Sequence, residues 1–278
     1  MREIKLLIGE KERVFRGPSC YAEVPEKMLL PLRGLLSAGQ QQAHYRLAIP
    51  CLLYGIPGDV ISIFFDEKKR HRYQAEDGEP ATLTLLGEEL LNTCNWVYTE
   101  APPSFWILQR ITVDKRVQWA PAHQLANLTF GEFMLAETYL KRDLAKLCAL
   151  LYRPGKSIWP YSRQDARRPF DESRVEPDAV RFRKPEYRAL CETIAWNYQG
   201  MIPHLMQVFP HVFQKKKPDD LAVPEAPNAT PWLDAALSMA NEDPNRFRAL
   251  EHENLYVVLK MLDNRIRQNK ELEEKYRK

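Results

Sequence analysis

Glu137 is the carboxylate whose setting first raises the question of chemistry. It falls on the same helical face as Phe133 and Met134, within the run FGEFMLAETYLKR. A carboxylate among apolar neighbours needs a partner or a route to water. Lys141, four residues on, can meet it from the next turn. A general acid or base would also need a second carboxylate or a histidine at a supporting spacing, and none stands there. A structural half-buried carboxylate is the simpler reading. His204 and His211 are seven residues apart, with no further ligand nearby, whereas zinc ordinarily takes three or four protein ligands. The five cysteines, Cys20, Cys51, Cys94, Cys148 and Cys191, are widely spaced, odd in number and free of C-x-x-C spacing. They read as buried free thiols of a reducing compartment. Phosphate-loop, dinucleotide, nucleophile-elbow and zinc-protease motifs are absent. No cofactor, metal or catalytic residue is assigned, and the expectation is a protein that is not an enzyme.

Two basic stretches are candidates for an anionic contact. Lys68, Lys69, Arg70 and Arg72 form a compact run around His71. Such runs are usually solvated faces, and the alternative is a phosphate-bearing partner. The second is Gly155–Lys184, in which Trp159 and Tyr161 lie among Lys156, Arg163, Arg167 and Arg168. Aromatic and arginine side chains together stack nucleic-acid bases, and more often they pin a loop to its domain. The 278 residues carry 40 Lys+Arg against 37 Asp+Glu, a formal net charge of +3, which makes nucleic acid an unpromising partner overall.

The elements that position these residues are mostly helical. Thr129 and Glu132 have capping-box spacing, and Phe130, Phe133, Met134 and Leu140 follow on one face. Asp143 caps a second helix whose stripe is Leu144, Leu147, Cys148 and Leu151. Pro154 ends it, with Arg153 placed in the last turn to suit the helix dipole. The short link makes residues 125–154 an antiparallel helical hairpin. Further helices are expected at 25–39, 40–54, 83–100, 186–206 and 230–240, then a short turn at Asp243-Pro244. A final helix carries the stripe Leu255, Val258, Leu259, Leu262 and Ile266. Val60–Phe65 is more in keeping with helix than strand. Strands are expected at Ile4–Ile8, Cys20–Val24, Phe105–Val113 and Arg116–Ala120, joined into one small sheet. The fold class is therefore mainly α, built from helical hairpins, with a small antiparallel β-sheet (α+β). The expected organisation is an N-terminal α+β domain over 1–153, an irregular basic loop over 154–184 and a C-terminal helical region over 185–278. The N-terminal apolar run is too short for a signal peptide, and no stretch approaches a membrane span.

The last helix raises a separate point. Its stripe ends near Ile266, yet helix-forming residues continue to Lys278, with Leu272 and Tyr276 on one face. A lone helical tail of this length is marginal in water. Gln268–Lys278 is therefore expected to fray in the free protein, and Leu272 and Tyr276 become candidate partner-binding anchors.

Four stretches in order, PEKMLLPLRGLLSAG with YGIPGDV, ELLNTCNWVYTE, LANLTFGEFMLAETYLKR with LAKLCALLYRP, and WLDAALSMANEDPNRFRALEHENLYVVLKMLDNRI, resemble a loosely defined family of uncharacterised proteins. These are carried by phages and prophages of Bacteroidetes-type bacteria and are regarded as tail proteins or tail-assembly-chaperone-like. The resemblance implies a non-enzymatic factor in the host cytoplasm that shields a phage tail protein, such as the tape measure, until assembly. It also leaves room for a homo-oligomer. A structural neck or tail component of the virion is the alternative it implies, and a nucleic-acid-associated factor is a third reading. The family supplies no catalytic residues.

Overall fold

A computed structural model describes residues 1–8, 11–39, 45–66, 87–155, 165–213 and 231–276. Among the described residues the chain is mainly helical, with two small antiparallel sheets. It divides into two compact units, Met1–Pro103 and Ser104–Lys278. The boundary expected after Arg153 is thus displaced to Pro103. The reason is that the 125–154 hairpin packs against the later helices and joins their core.

In the first unit, β1 (Arg2–Ile8) pairs with β2 (Lys11–Gly17) in a hairpin whose register sets Ile4 opposite Phe15. The expected partner, Cys20–Val24, is instead a 3-10 turn over Tyr21–Glu23. The Cys20 and Tyr21 carbonyls there accept from the Glu23 and Val24 amides, at 3.1 and 3.2 Å. Tyr21 is buried, donates its hydroxyl to the Val97 carbonyl at 2.6 Å and stands edge-on to Trp96. Gly17 is the last residue of β2, and glycine is required there: a Cβ would lie 2.6 Å from the Leu53 carbonyl oxygen and the Tyr54 ring. The core comes from α1 (Glu26–Gly39), α2 (Tyr45–Tyr54), α3 (Gly58–Phe65), a helical segment at 87–92 called α4, and α5 (Trp96–Thr99). Leu29, Leu32, Ile49, Leu53, Val60, Ile61, Leu90 and Val97 fill it. Both α1 and α2 continue through internal prolines, Pro31 and Pro50.

The second unit opens with residues 105–109, expected as strand but largely irregular. Several of their backbone groups are taken by side chains. The Ile107 amide donates to Asn197 Oδ1 at 3.0 Å, Asn197 Nδ2 donates to the Phe105 carbonyl at 2.9 Å, and the Trp106 amide donates to His123 Nδ1 at 3.0 Å. Only β3 (Arg110–Val113) joins a ladder, with β4 (Arg116–Trp119), through Asp114 and Lys115 at positive φ. That pair of left-handed residues matches the twist of a two-residue hairpin. A third short strand, β5 (Arg153–Pro154), then pairs Arg153 with Trp119. The two hairpins form separate sheets, where a single sheet is expected from the sequence.

The helical part consists of α6 (Phe130–Arg142), α7 (Leu144–Leu151), α8 (Val175–Phe182), α9 (Arg188–Val208), α10 (Pro231–Ala240), α11 (Pro244–His252) and α12 (Leu255–Tyr276). The capping box of α6 is present as its spacing requires. The Glu132 amide donates to Thr129 Oγ1 at 3.2 Å, and the Thr129 amide donates to Glu132 Oε2 at 2.8 Å. Asp143 Oδ1 accepts from the Ala145 and Lys146 amides and caps α7. Asp243 caps α11 in the same way. The segment 154–184, expected to be irregular, contains α8. Pro177 is tolerated because it lies in the first turn, where no intrahelical amide donor is needed. α9 likewise runs on through Gly200 and Pro203.

Candidate functional site

The candidate site is a cleft of about 530 Å³ in the second unit, between α6, the chain at Phe170–Glu172, α10 and α11. Its walls follow from how α12 begins. The Phe130 amide donates to the Glu253 carbonyl, and the Leu255 amide donates to the Leu128 carbonyl, both at 2.9 Å. These bonds tie the α11–α12 junction to the start of α6. Gly131 permits the approach: a Cβ there would lie 3.0 Å from the Glu251 carbonyl oxygen. On the other side, Trp232 of α10 is held edge-on by Phe133 and Phe213, with ring centroids at 5.0 and 5.5 Å.

The lining is apolar at Met134, Leu135, Phe170, Trp232, Leu233 and Phe247. Charged groups stand among them, Glu137, Lys141, Asp171, Glu172 and Glu251, beside the imidazole of His252. Asp171 is matched by Arg174 at 3.2 Å and accepts from Ser173. These bonds hold its carboxyl below the usual range, with the Ser173 hydroxyl as the largest cause. Glu137 is half-buried, and its Oε1 accepts from the Tyr198 hydroxyl at 2.9 Å. Desolvation raises its carboxyl above the ordinary glutamate value, only partly opposed by the Tyr198 bond and the charge of Lys141. Tyr198 is itself pushed well up, by burial and then by the Glu137 charge. The partner foreseen for Glu137 was Lys141. Lys141 acts on it only through its field, and the hydrogen bond comes from α9 instead.

Beneath the start of α6 lies a second polar cluster. Glu132 Oε1 accepts from Arg153 Nη1, and both side chains are buried. Arg167, also buried, donates to Asp165 from its backbone amide, Nε and Nη2 at 2.9 to 3.0 Å, and from Nη1 to the Leu151 carbonyl at 3.0 Å. Arg153 also lies over the Phe170 ring, 5.5 Å from its centroid. Arg153 was expected to complement the dipole of α7; it sits instead in β5 and turns back to the capping carboxylate. Arg167 and Arg168, expected on a basic loop, are both committed: Arg168 meets Asp178 at 3.3 Å. Arg183 is likewise shared by Glu176 and Asp143. Buried and paired guanidiniums are ordinary structural anchors. Nothing in the sequence marks Arg167 for burial, because its partner lies two residues away on an irregular segment.

Lys68, Lys69, Arg70 and Arg72 lie outside the described residues, as do Lys156, Trp159, Tyr161 and Arg163. Leu272 and Tyr276 are described, and both are exposed. The helix carrying them continues to Tyr276, past the point where the sequence predicts fraying. Residues 267–276 are all exposed. At 3.6 residues per turn, Val257, Met261, Leu272 and Tyr276 fall within one sector of about 100°, and all four are exposed. Among the described residues, no group of three or more His, Cys, Asp and Glu side chains is arranged to hold a metal ion. No described helix is long and apolar enough to cross a membrane. The chain matches no family model, no curated protein and no solved structure.

Proposed function

We propose that this chain is a non-enzymatic phage assembly protein of the tail-assembly-chaperone kind, which binds a tail component in the host cytoplasm through helical surfaces. The observation that carries the reading is α12. It outruns its own domain by ten consecutive exposed residues while keeping an apolar stripe through Val257, Met261, Leu272 and Tyr276. A helix that projects with apolar anchors at helical spacing is a recurring means of docking into a partner's groove. The resemblance of the LTFGEFMLAETYLKR and LYRP stretches to prophage tail-associated proteins gives that partner its identity. The nucleic-acid alternative loses support in the second unit, where Arg167, Arg168 and Arg183 are spent on carboxylates of the same chain.

The test is co-expression with the tape-measure and tail-tube proteins of the same prophage, followed by assay of purified particles. A soluble complex that is absent from finished particles is expected. Stoichiometric presence in the particle would replace this reading with the structural one. Failure of every tail protein to form a complex would remove both.

A further inference from the structure

We propose that the cleft between α6, α10 and α11 is a binding site for a protonated amine carried on an apolar or aromatic body. The inference stands apart from the assembly reading, which rests on α12. It starts from the size and lining of the cleft. A volume of about 530 Å³ lies within the range of small-ligand sites. Seven apolar side chains line it, three of them aromatic: Phe170, Trp232 and Phe247. Trp232 is locked edge-on by the rings beneath it, so it presents a surface fixed before any ligand arrives.

Charge then selects among apolar ligands. With Asp171 matched by Arg174, three carboxylates remain on the lining, Glu137, Glu172 and Glu251, against Lys141. An anionic ligand would meet this excess of negative charge. A neutral ligand would leave Glu137 desolvated without new compensation. An ammonium group would place a cation against that carboxylate, in a site where a charge-assisted hydrogen bond is stronger than in water. The Trp232 and Phe247 rings on the same lining offer a cation–π partner.

The amine has two sources, a free organic amine or a lysine side chain flanked by apolar residues in a peptide. Both share the chemistry, and the test separates them. Tryptamine, tryptophol and indoleacetate form a matched series with one aromatic body and a cationic, neutral or anionic end. Titration of the full chain by ligand-observed NMR and calorimetry is expected to rank them in that order, with about tenfold between amine and alcohol. Acetyl-Leu-Lys-Trp-Leu-amide, measured against its norleucine counterpart, forms the peptide arm. A lysine preference there larger than that of tryptamine over tryptophol assigns a peptide ligand, and a smaller one assigns a free amine. Glu137→Gln keeps the acceptor for Tyr198 and should remove about tenfold of the amine preference while tryptophol binding stays. Glu251→Gln, on the same lining, serves as the second variant if the first unfolds. Equal binding of the three indoles, tighter binding of indoleacetate, no binding by any probe, or an amine preference untouched in a folded variant would each overturn the proposal.

Discussion

Glu132 closes the capping box of α6 with one carboxylate oxygen and takes the buried guanidinium of Arg153 with the other. One side chain therefore fixes both the start of α6 and the chain that leaves α7 as β5. Removing one partner of a buried ion pair costs about 3–5 kcal/mol, because the remaining charge is left uncompensated. Losing a capping hydroxyl alone costs about 1 kcal/mol. Glu132→Gln retains a capping acceptor and leaves Arg153 without its closest anion, since Asp165 is 3.9 Å away. It should lower the unfolding free energy by about 3 kcal/mol, against about 1 kcal/mol for Thr129→Ala. Chemical denaturation of both variants tests this, and equal losses would show that the pair contributes nothing beyond the cap.

Phe133 is fully buried and meets Trp232 edge-on at 5.0 Å, as Leu147 is fully buried on α7. Phe133→Ala should cost about 3–5 kcal/mol, the range for a truncated core aromatic. It should also loosen α10, because Trp232 loses one of its supporting rings. The check is the denaturant midpoint together with hydrogen exchange across Pro231–Ala240. An unchanged midpoint would place Phe133 outside the cooperative core.

The legible parts of the fold are those specified within a few residues of one another. Thr129 and Glu132 declare a helix start by type and spacing, and Asp143 does the same, whereas Asp243-Pro244, which reads as a short turn, opens a helix of 9 residues. Asp114-Lys115 marks a hairpin, although the left-handed conformation it needs is adopted without glycine. Where distant groups decide, the sequence misleads. Residues 105–109 have strand composition, yet Asn197, roughly ninety positions later, takes their backbone bonds. The partner of β1 has charged residues on both faces and so lacks the alternation that signals a half-buried strand. Little of the cleft is legible in the sequence. Only Glu137 pointed to it, and its far wall is supplied by α10 and α11, which fold back through the Thr129–Asn254 bridge.

Glu137 gives a pH dependence whose sign is fixed. Its folded-state pKa is raised by desolvation, so the folded chain holds this proton more tightly than the unfolded chain does. Stability from this site is greatest below the unfolded pKa and falls as pH rises through the folded one. Glu137→Gln removes that dependence. The variant should therefore gain stability relative to the parent as pH increases from the ordinary glutamate range towards neutrality. Denaturation curves across that interval measure the difference, and a flat difference would mean that the carboxylate is not desolvated in solution.

The thiols should divide by burial. Cys20 and Cys51 are partly accessible, while Cys94, Cys148 and Cys191 are buried. Burial pushes Cys94 up to about 11 and Cys148 well above the ordinary thiol value. Burial raises the Cys51 thiol too, and the Cys148 contact lowers Cys191, so access decides: iodoacetamide at mildly alkaline pH should modify Cys20 and Cys51 in the folded protein and the other three only on unfolding. Peptide mass mapping reads the sites. Native-state labelling of Cys148 would contradict its placement between α7 and α9.

The last prediction concerns the two halves of α12. Its first part is anchored: Leu255, Val258 and Leu259 are fully buried, and Asp263 Oδ1 accepts from the His211 amide at 2.8 Å. Its last part has no buried residue, so it adds backbone hydrogen bonds and little burial. Leu259→Ala should cost about 2–5 kcal/mol. Deleting residues 269–278 should change the unfolding free energy by no more than about 0.5 kcal/mol, as surface changes do. In the free chain the amides of 269–276 should exchange far faster than those of Leu255–Asp263, because a solvated helix end opens without unfolding the domain. In complex with the partner proposed above, the same amides should become protected, most strongly around Leu272 and Tyr276. A deletion that leaves stability and complex formation both intact would make these residues a solvated terminus. A deletion that destabilises the domain as much as Leu259→Ala would show that the end of α12 is packed and not available for docking.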